Sequence, residues 1–383
     1  MTDITLQKDH PSPPPPPAPM DNDAPPLYKD FPWYREPHPR SSLKNKVTFP
    51  TTAQERQRHY VAMLSLAESF SKRSFETIIG IPGTKIVTQA AADATRAQLH
   101  NLVRGNWKPT QRTQLVKHVQ DPLYGKCDKK HPDGPRRETQ YRWVPDSGSL
   151  VTATPDQWCS VLNGRHILLV GDLVQYQLHD LFLDTLRDAP TACYGELNCK
   201  DSRLRYLRND VLSSNRRQMQ HDGHPQGDVI RWPFMASNIL KAYPILILNR
   251  SPVIETDEEF IQSLTATLKA IRNVSPNTLV VYRSTPIGHP YCDDATGPMQ
   301  QPLQDEDLVH LPFGWSELER RNTLAKVIVE AAGGVFVDLA ALLNTRPDGH
   351  VGNHDCLRYC IPGPMDDWMD VLYQVFSTLG QSP

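Results

Sequence analysis

The stretch Gly164–Asp184, GRHILLVGDLVQYQLHDLFLD, constrains this chain more than any other. Ile167–Val170 is an unbroken apolar run, which suits a strand buried on both faces. It ends at Gly171-Asp172-Leu173, after which Val174, Leu178, Leu181 and Phe182 fall at helical spacing with polar residues between them. A strand that turns sharply into a helix puts the turn residue at the carboxyl edge of a sheet. The free N–H groups and positive dipole end of the helix then face whatever sits there. Enzymes mount serine nucleophiles in such turns. In this chain the position holds Leu173, whose side chain has no nucleophilic atom.

The same alternation continues downstream. Ile245–Leu248 is an apolar run behind Pro244. Thr256-Asp257-Glu258-Glu259 has the form of a capping box and opens a helix with Phe260, Ile261, Leu264, Leu268 and Ile271 on one face. Thr278–Tyr282 is rich in β-formers, Leu318, Leu324, Val327 and Ile328 suit a helix, Val335–Val337 a strand, and Asp366–Leu379 a last helix. Repeated βα units predict an α/β fold: a three-layer α/β/α sandwich around a mostly parallel sheet. Ile167, Ile245, Val280 and Val335 should lie on neighbouring strands. Ligands of such sheets sit outside the carboxyl ends of the strands, where Asp172, Asn249-Arg250 and Arg283-Ser284-Thr285 fall. Asp355–Arg358 follows the last strand and is placed to fold back over them.

Upstream the signals differ. Residues 1–50 hold Pro11 and the run Pro13–Pro17, which favours a disordered, extended tail serving as a linker or as a PxxP ligand for a protein partner. Thr52–Glu55 reads as a helix cap, followed by a stripe of Tyr60, Met63, Leu64, Ala67 and Phe70. A loop and a helix follow from Gly80, and then irregular, aromatic-pinned structure through Trp107 and Trp143. The expected division is a tail over 1–50, a helical and irregular part over 51–150 and the α/β domain over 151–383. The formal net charge of -2 gives no argument for nucleic acid, and the basic run Lys126–Arg142 reads as a solvated loop or a surface attracting acidic glycans. No apolar run is long enough to span a membrane, and the polar, proline-rich start is not a signal peptide. Seven cysteines leave at least one unpaired within the chain and show no zinc-type spacing, so no metal is expected.

Taken in order, several short pieces carry a resemblance. They are Gly105-x-Trp107, Pro122-Leu-Tyr124 with Cys127, Tyr141-x-Trp143-x-Pro145, Gly164-Arg165 leading to Gly171-Asp172, and Arg205–Asp210. After them come Leu248-Asn249-Arg250, Arg283–Pro290 with Cys292, Arg346–His350, Asp355–Gly363, Asp367-Trp368 and Leu372-Tyr373. Together they resemble the trichome-birefringence-like, or PC-esterase, family, most closely its fungal branch. The resemblance runs from about Gly105 to the C-terminus and implies an SGNH-hydrolase-type fold and acyl transfer on polysaccharide. It further implies a Golgi or secretory location, a glycan partner and no cofactor, with an acyl donor such as acetyl-CoA entering as a substrate.

That family reads Gly-Asp-Ser at the turn and Asp-x-x-His near the end. The serine needs an imidazole to take its proton, and the imidazole needs a carboxylate to hold its tautomer. This chain keeps Asp172 and Asp355 but has Leu173 for the serine and Arg358 for the histidine. A guanidinium stays protonated and cannot act as a base, but it can pair with Asp355 three residues away. Asn249 remains as an oxyanion-hole donor. Arg208, Asn209, Asp210, Arg250, His289 and His350 are the candidate substrate-binding residues, with His289, His350 and His354 read first as loop-fixing hydrogen bonders. A cysteine the family has after Trp143-x-Pro145 is missing, which is expected to leave Cys127 unpaired. Three functions follow: a degenerate member that binds a glycan or partner, an active O-acetyltransferase or acyl esterase with unorthodox residues, and a regulatory subunit docked through the tail.

Overall fold

A computed structural model describes residues 47–110, 127, 136–186, 202–213, 218–221, 228–290, 292–311, 313–352 and 355–381. Most of the proline-rich tail, most of the basic run, Pro122–Tyr124, Cys193, Cys199 and His354 lie outside the described residues.

The elements begin with helices α1 (Ala53–Phe75) and α2 (Gln89–Asn101), hairpin strands β1 (Gly105–Pro109) and β2 (Tyr141–Pro145), and α3 (Pro155–Leu162). Next come β3 (Ile167–Gly171), α4 (Leu173–Leu186), β4 (Leu204–Arg208), a ribbon of β5 (Gln218–His221) and β6 (Asp228–Arg231), α5 (Ser237–Ala242) and β7 (Ile245–Leu248). The remainder is α6 (Asp257–Val274), β8 (Leu279–Arg283), α7 (Asp305–Leu308), α8 (Leu318–Ala331), β9 (Val335–Val337), α9 (Ala340–Leu343), β10 (His350–Gly352), β11 (Asp355–Tyr359) and α10 (Asp366–Gln381).

Five strands form one parallel sheet in the order β4-β3-β7-β8-β9. The four strands expected from their apolar runs are neighbours in it. Side chains alternate across a strand, and the core divides accordingly. Ile167, Leu169, Ile245, Ile247, Leu279 and Val281 pack with α4, α10, α2 and α3. Leu168, Val170, Leu246, Leu248, Val280 and Tyr282 pack with α1, α6 and α8. Every residue of β3, β7 and β8 is buried, so their apolar runs need no polar alternation.

The caps form where the sequence places them. Thr256 and Glu259 make a reciprocal capping box at the start of α6. At α1 the Thr52 hydroxyl accepts from Glu55 N but donates to Glu55 Oε2 at 2.8 Å, so the box is only half made. The fifth strand of the sheet, β4, lies within a run read above only as a motif. Leu204-Arg205-Tyr206-Leu207-Arg208 mixes apolar and charged residues and is only partly buried, as suits an edge strand.

The regions outside the sheet are fastened to it by specific bonds. Trp107 Nε1 donates to Leu342 O at 2.7 Å, Trp143 Nε1 to Leu102 O at 3.1 Å and Trp143 N to Asp367 Oδ1 at 3.1 Å. Arg346 makes a bidentate pair with Asp348 at 2.8 and 2.7 Å, its guanidinium 4.3 Å from the Trp107 ring centre. The antiparallel β10–β11 ribbon stands apart from the main sheet and is held at both ends of β11 by disulfides. Cys356 pairs with Cys292 in the loop after β8, and Cys360 pairs with Cys127 across 233 residues. Cys127 is therefore not left unpaired, as the missing cysteine had implied; burial against Val351 and Cys360 brings it to its partner. Cys159 is disulfide-bonded as well.

Breaking the longer bridge tests this tether. Replacing both Cys127 and Cys360 by Ala should lower the free energy of unfolding by about 2–5 kcal/mol, as removal of a native bridge typically does. Urea unfolding of the double variant against the parent measures it.

Candidate active-site edge

The strand order sets where a site can lie. From β3 the chain passes to one face through α4, and from β7 to the opposite face through α6. The connections diverge and leave a crevice at the carboxyl ends of β3 and β7. Asp172-Leu173 sits on one side of it and Asn249 on the other.

Asp172 is the N-cap of α4. Its Oδ1 accepts from Gln175 N at 2.9 Å, satisfying one of the helix's free donors. The same oxygen accepts from Arg283 Nη2 at 2.9 Å, and Arg283 Nε donates to Gln175 Oε1 at 2.6 Å. Gln175 Nε2 in turn donates to Ile247 O at 2.7 Å. Arg283 is wholly buried, and its guanidinium lies 5.2 Å from the centre of the Trp368 ring. Burial pulls its pKa down while Asp172 raises it, and a guanidinium remains charged through such a shift. Tyr206 adds a hydroxyl donated to Asp172 O at 2.7 Å; burial raises its pKa well above the usual value, with the Asp172 and Asp210 charges adding to the effect. The second carboxylate oxygen, Asp172 Oδ2, is buried without a hydrogen bond among the described residues.

Asn249 faces the same turn. Its Oδ1 accepts from Asp172 N at 3.2 Å, and its Nδ2 donates to Thr285 Oγ1 at 3.3 Å. The Thr285 hydroxyl donates onward to Arg250 O, so it can only accept from Asn249, and this fixes which end of the amide is which. A Cβ on Gly171 would lie 1.7 Å from Asn249 Oδ1. Only glycine allows this approach.

The Asp355–Arg358 pair is closed. Arg358 Nε donates to Asp355 Oδ2 at 2.6 Å, and Arg358 N to Asp355 Oδ1 at 3.0 Å. Gln177, one turn beyond Leu173 on α4, clasps β11 by donating to Tyr359 O at 2.6 Å and accepting from Tyr359 N at 3.0 Å. Together with the Cys292–Cys356 bridge this holds Asp355 on the carboxyl side of the sheet.

The remaining candidates occupy three places. Arg208 and Asp210 form a bidentate pair at 3.2 Å beside the turn. Asn209 braces the loop after β4, donating to Ser213 O and Trp232 O, each at 3.0 Å. Arg250 turns away from the crevice, bound to both oxygens of Glu255 at 2.8 and 2.7 Å and stacked on Phe260. His289 and His350 meet each other at 2.8 Å. Arg283 and Thr285 lie at the strand ends where the sequence places ligands, whereas the sequence gives no site role to Gln175 or Tyr206. Gln175 and Gln177 flank the apolar stripe of α4 and are buried, and buried polar groups need partners. Cys127 with Glu138 and Cys360, and Cys292 with Asp293 and Cys356, cluster in the manner of metal ligands. Their sulfurs are tied up in disulfides and are not thiolates.

No protein-family model matches the chain. A segment of 74 residues, 17% of the chain, is 30% identical to xyloglucan O-acetyltransferase 2 of Arabidopsis thaliana and covers 18% of that protein's length. That likeness, beside the fold, supports a coarse kinship with acetyltransferases and esterases.

Two outcomes test the site. Arg283→Met should destabilise the protein by about 3–5 kcal/mol, because it strands the Asp172 charge in the interior; denaturant unfolding measures the loss. Burial pushes the Asp210 carboxyl up to about 6, against the pull of Arg208. Between the ordinary carboxylate range and about 6 the folded state holds a proton that the unfolded chain has released. Unfolding free energy should therefore fall as pH rises through that window, and Asp210→Asn should flatten the slope.

Proposed function

We propose that this chain is an acetyltransferase- or esterase-like scaffold that binds a glycan at the β3–β7 crevice without transferring an acyl group. The observation that carries the reading is the pair of substitutions in their settings. Leu173 occupies the nucleophile turn, and Arg358 closes on Asp355, the carboxylate that would orient a base. The rival reading, an active enzyme with unorthodox residues, needs a hydroxyl or thiol served by an imidazole at this edge. The Thr285 hydroxyl donates to a carbonyl instead, and the rings of His289 and His350 face each other.

Binding of a sugar is supported by two partly exposed aromatic side chains near the turn. Tyr176 on α4 and Trp232, whose backbone N–H donates to Arg208 O, are 36% and 40% exposed. Aromatic faces with polar neighbours suit pyranose rings. The disulfides fit an oxidising, secretory compartment, and no helix among the described residues is long and apolar enough to cross a membrane.

Restoration is the test. Leu173→Ser with Arg358→His would supply a nucleophile and a base oriented by Asp355. The double variant should hydrolyse an aryl acetate at least roughly tenfold faster than either single variant, since a nucleophile and its base act as a unit. It should also react with a fluorophosphonate probe at residue 173, which the parent should not. A parent that turns over as fast as the double variant overturns the reading.

A further inference from the structure

A cavity of about 380 Å3 lies between α1 and α8, rimmed by the segment Pro302–Asp305. Its volume falls in the range of small-molecule sites. It shares no lining residue with the turn at Asp172-Leu173 or with Asn249, so it stands independently of the reading given for the β3–β7 crevice. Two packed helices build its walls in the same way. α1 presents Arg56, Gln57 and Tyr60, and α8 presents Glu319, Arg320 and Thr323, each set at positions i, i+1 and i+4. Residues at i and i+4 share one face of a helix, so one turn of each helix faces the cavity. The walls are fixed in advance. Arg56 donates to Asp305 Oδ1 at 3.1 Å, to Glu317 Oε1 at 3.4 Å and to Ser316 O at 3.0 Å. Arg320 Nε donates to Asp257 Oδ2 at 2.5 Å, and its Nη2 to Glu317.

Some of the wall's bonding capacity is unspent. Arg320 is 6% exposed, and its Nη1 makes no hydrogen bond among the described residues. The Glu319 carboxylate has neither a hydrogen bond nor an ion pair among them. Burial and the neighbouring Asp305 charge raise its pKa, against the pull of Arg56. The Gln57 amide and the Tyr60 hydroxyl can each donate and accept. The cavity thus offers a charged donor, a charged acceptor and neutral groups that do both. An anion is disfavoured there. The two arginines are shared among Asp305, Glu317 and Asp257, and Glu319 adds a fourth carboxylate. A cation would face a guanidinium that has only protons to give. The matching ligand is uncharged and carries groups that donate and accept side by side, as the vicinal hydroxyls of a sugar do. An aromatic side chain among polar neighbours suits the apolar face of a pyranose ring, and half-buried Tyr60 supplies one. We propose that this cavity binds a neutral pyranose unit, with Glu319 accepting from its hydroxyls, Arg320 donating to its oxygens and Tyr60 against its ring.

The full chain labelled with 3-fluorotyrosine reports the two places separately, because Tyr60 lines the cavity and Tyr176 lies beside the crevice turn on α4. Tyr60→Phe and Tyr176→Phe assign the fluorine signals. Methyl glucoside, methyl xyloside and methyl mannoside are titrated to about 50 mM, well above the millimolar scale of weak binding. At least one of them should move the Tyr60 signal to saturation. Methyl glucuronide, which is anionic, and sorbitol, which has no ring, should not. Glu319→Ala should weaken the Tyr60 titration at least about tenfold, the loss expected from one hydrogen bond to a charged group, and should leave any Tyr176 response as in the parent. Gln57 is exposed on α1, so Gln57→Trp fills the cavity from the surface and should abolish the Tyr60 response even where Glu319→Ala does not fold. A Tyr60 signal unmoved by all three glycosides overturns the proposal. So does equally tight binding of the glucuronide or of sorbitol, or a titration that neither variant weakens. If Tyr176 responds and Tyr60 does not, the crevice reading stands and this one falls.

Discussion

The structure at the carboxyl edge depends on one buried ion pair. Arg283, at the end of the interior strand β8, reaches across to the carboxylate that caps α4 and bonds Gln175 on the way. A guanidinium and a carboxylate taken out of water cost several kcal/mol each, and only close geometry with further hydrogen bonds offsets that. Gln175, Ile247 O, the Ser284 carbonyl and the Trp368 ring provide those bonds and contacts. The pair ties β3, β7, β8, α4 and α10 into one unit. That unit does not depend on residue 173, because none of its bonds passes through the side chain of Leu173.

The crevice thus has a closely bonded frame. Gly171 still admits Asn249, and Thr285 still fixes its amide. Asp355 still points from a strand clasped to α4 by Gln177. Within that frame lie a side chain without a nucleophilic atom on one side and a permanent cation on the other. The Asp355–Arg358 salt bridge is self-satisfied and has no call on a further proton. Tyr176 and Trp232 are partly exposed beside it.

Much of this was legible in the residues, and the rest fails for identifiable reasons. Strands β3, β7, β8 and β9 showed as apolar runs because helices cover both faces of the sheet. β4 did not, since Arg205 and Arg208 on an edge strand look like a solvated segment. Leu173 and the Asp355–Arg358 spacing could be read directly, because local chemistry and a three-residue separation suffice. Arg283 and Gln175 could not: their partners are 111 and 72 residues away, and only the fold brings them together. The pairing of Cys127 was misjudged for the same reason. Its partner is decided by burial beside Val351 rather than by proximity in the chain.

That last pairing places a constraint on biosynthesis. Cys127 leaves the ribosome 233 residues ahead of Cys360, a delay of about 10–50 s at ordinary elongation rates. Throughout that time its thiol meets Cys159, Cys193, Cys199 and Cys292 first, each nearer in the chain than its eventual partner. Native connectivity is reached only after the C-terminal ribbon has emerged. Production of this protein should therefore depend on a disulfide isomerase more than its modest cysteine content suggests.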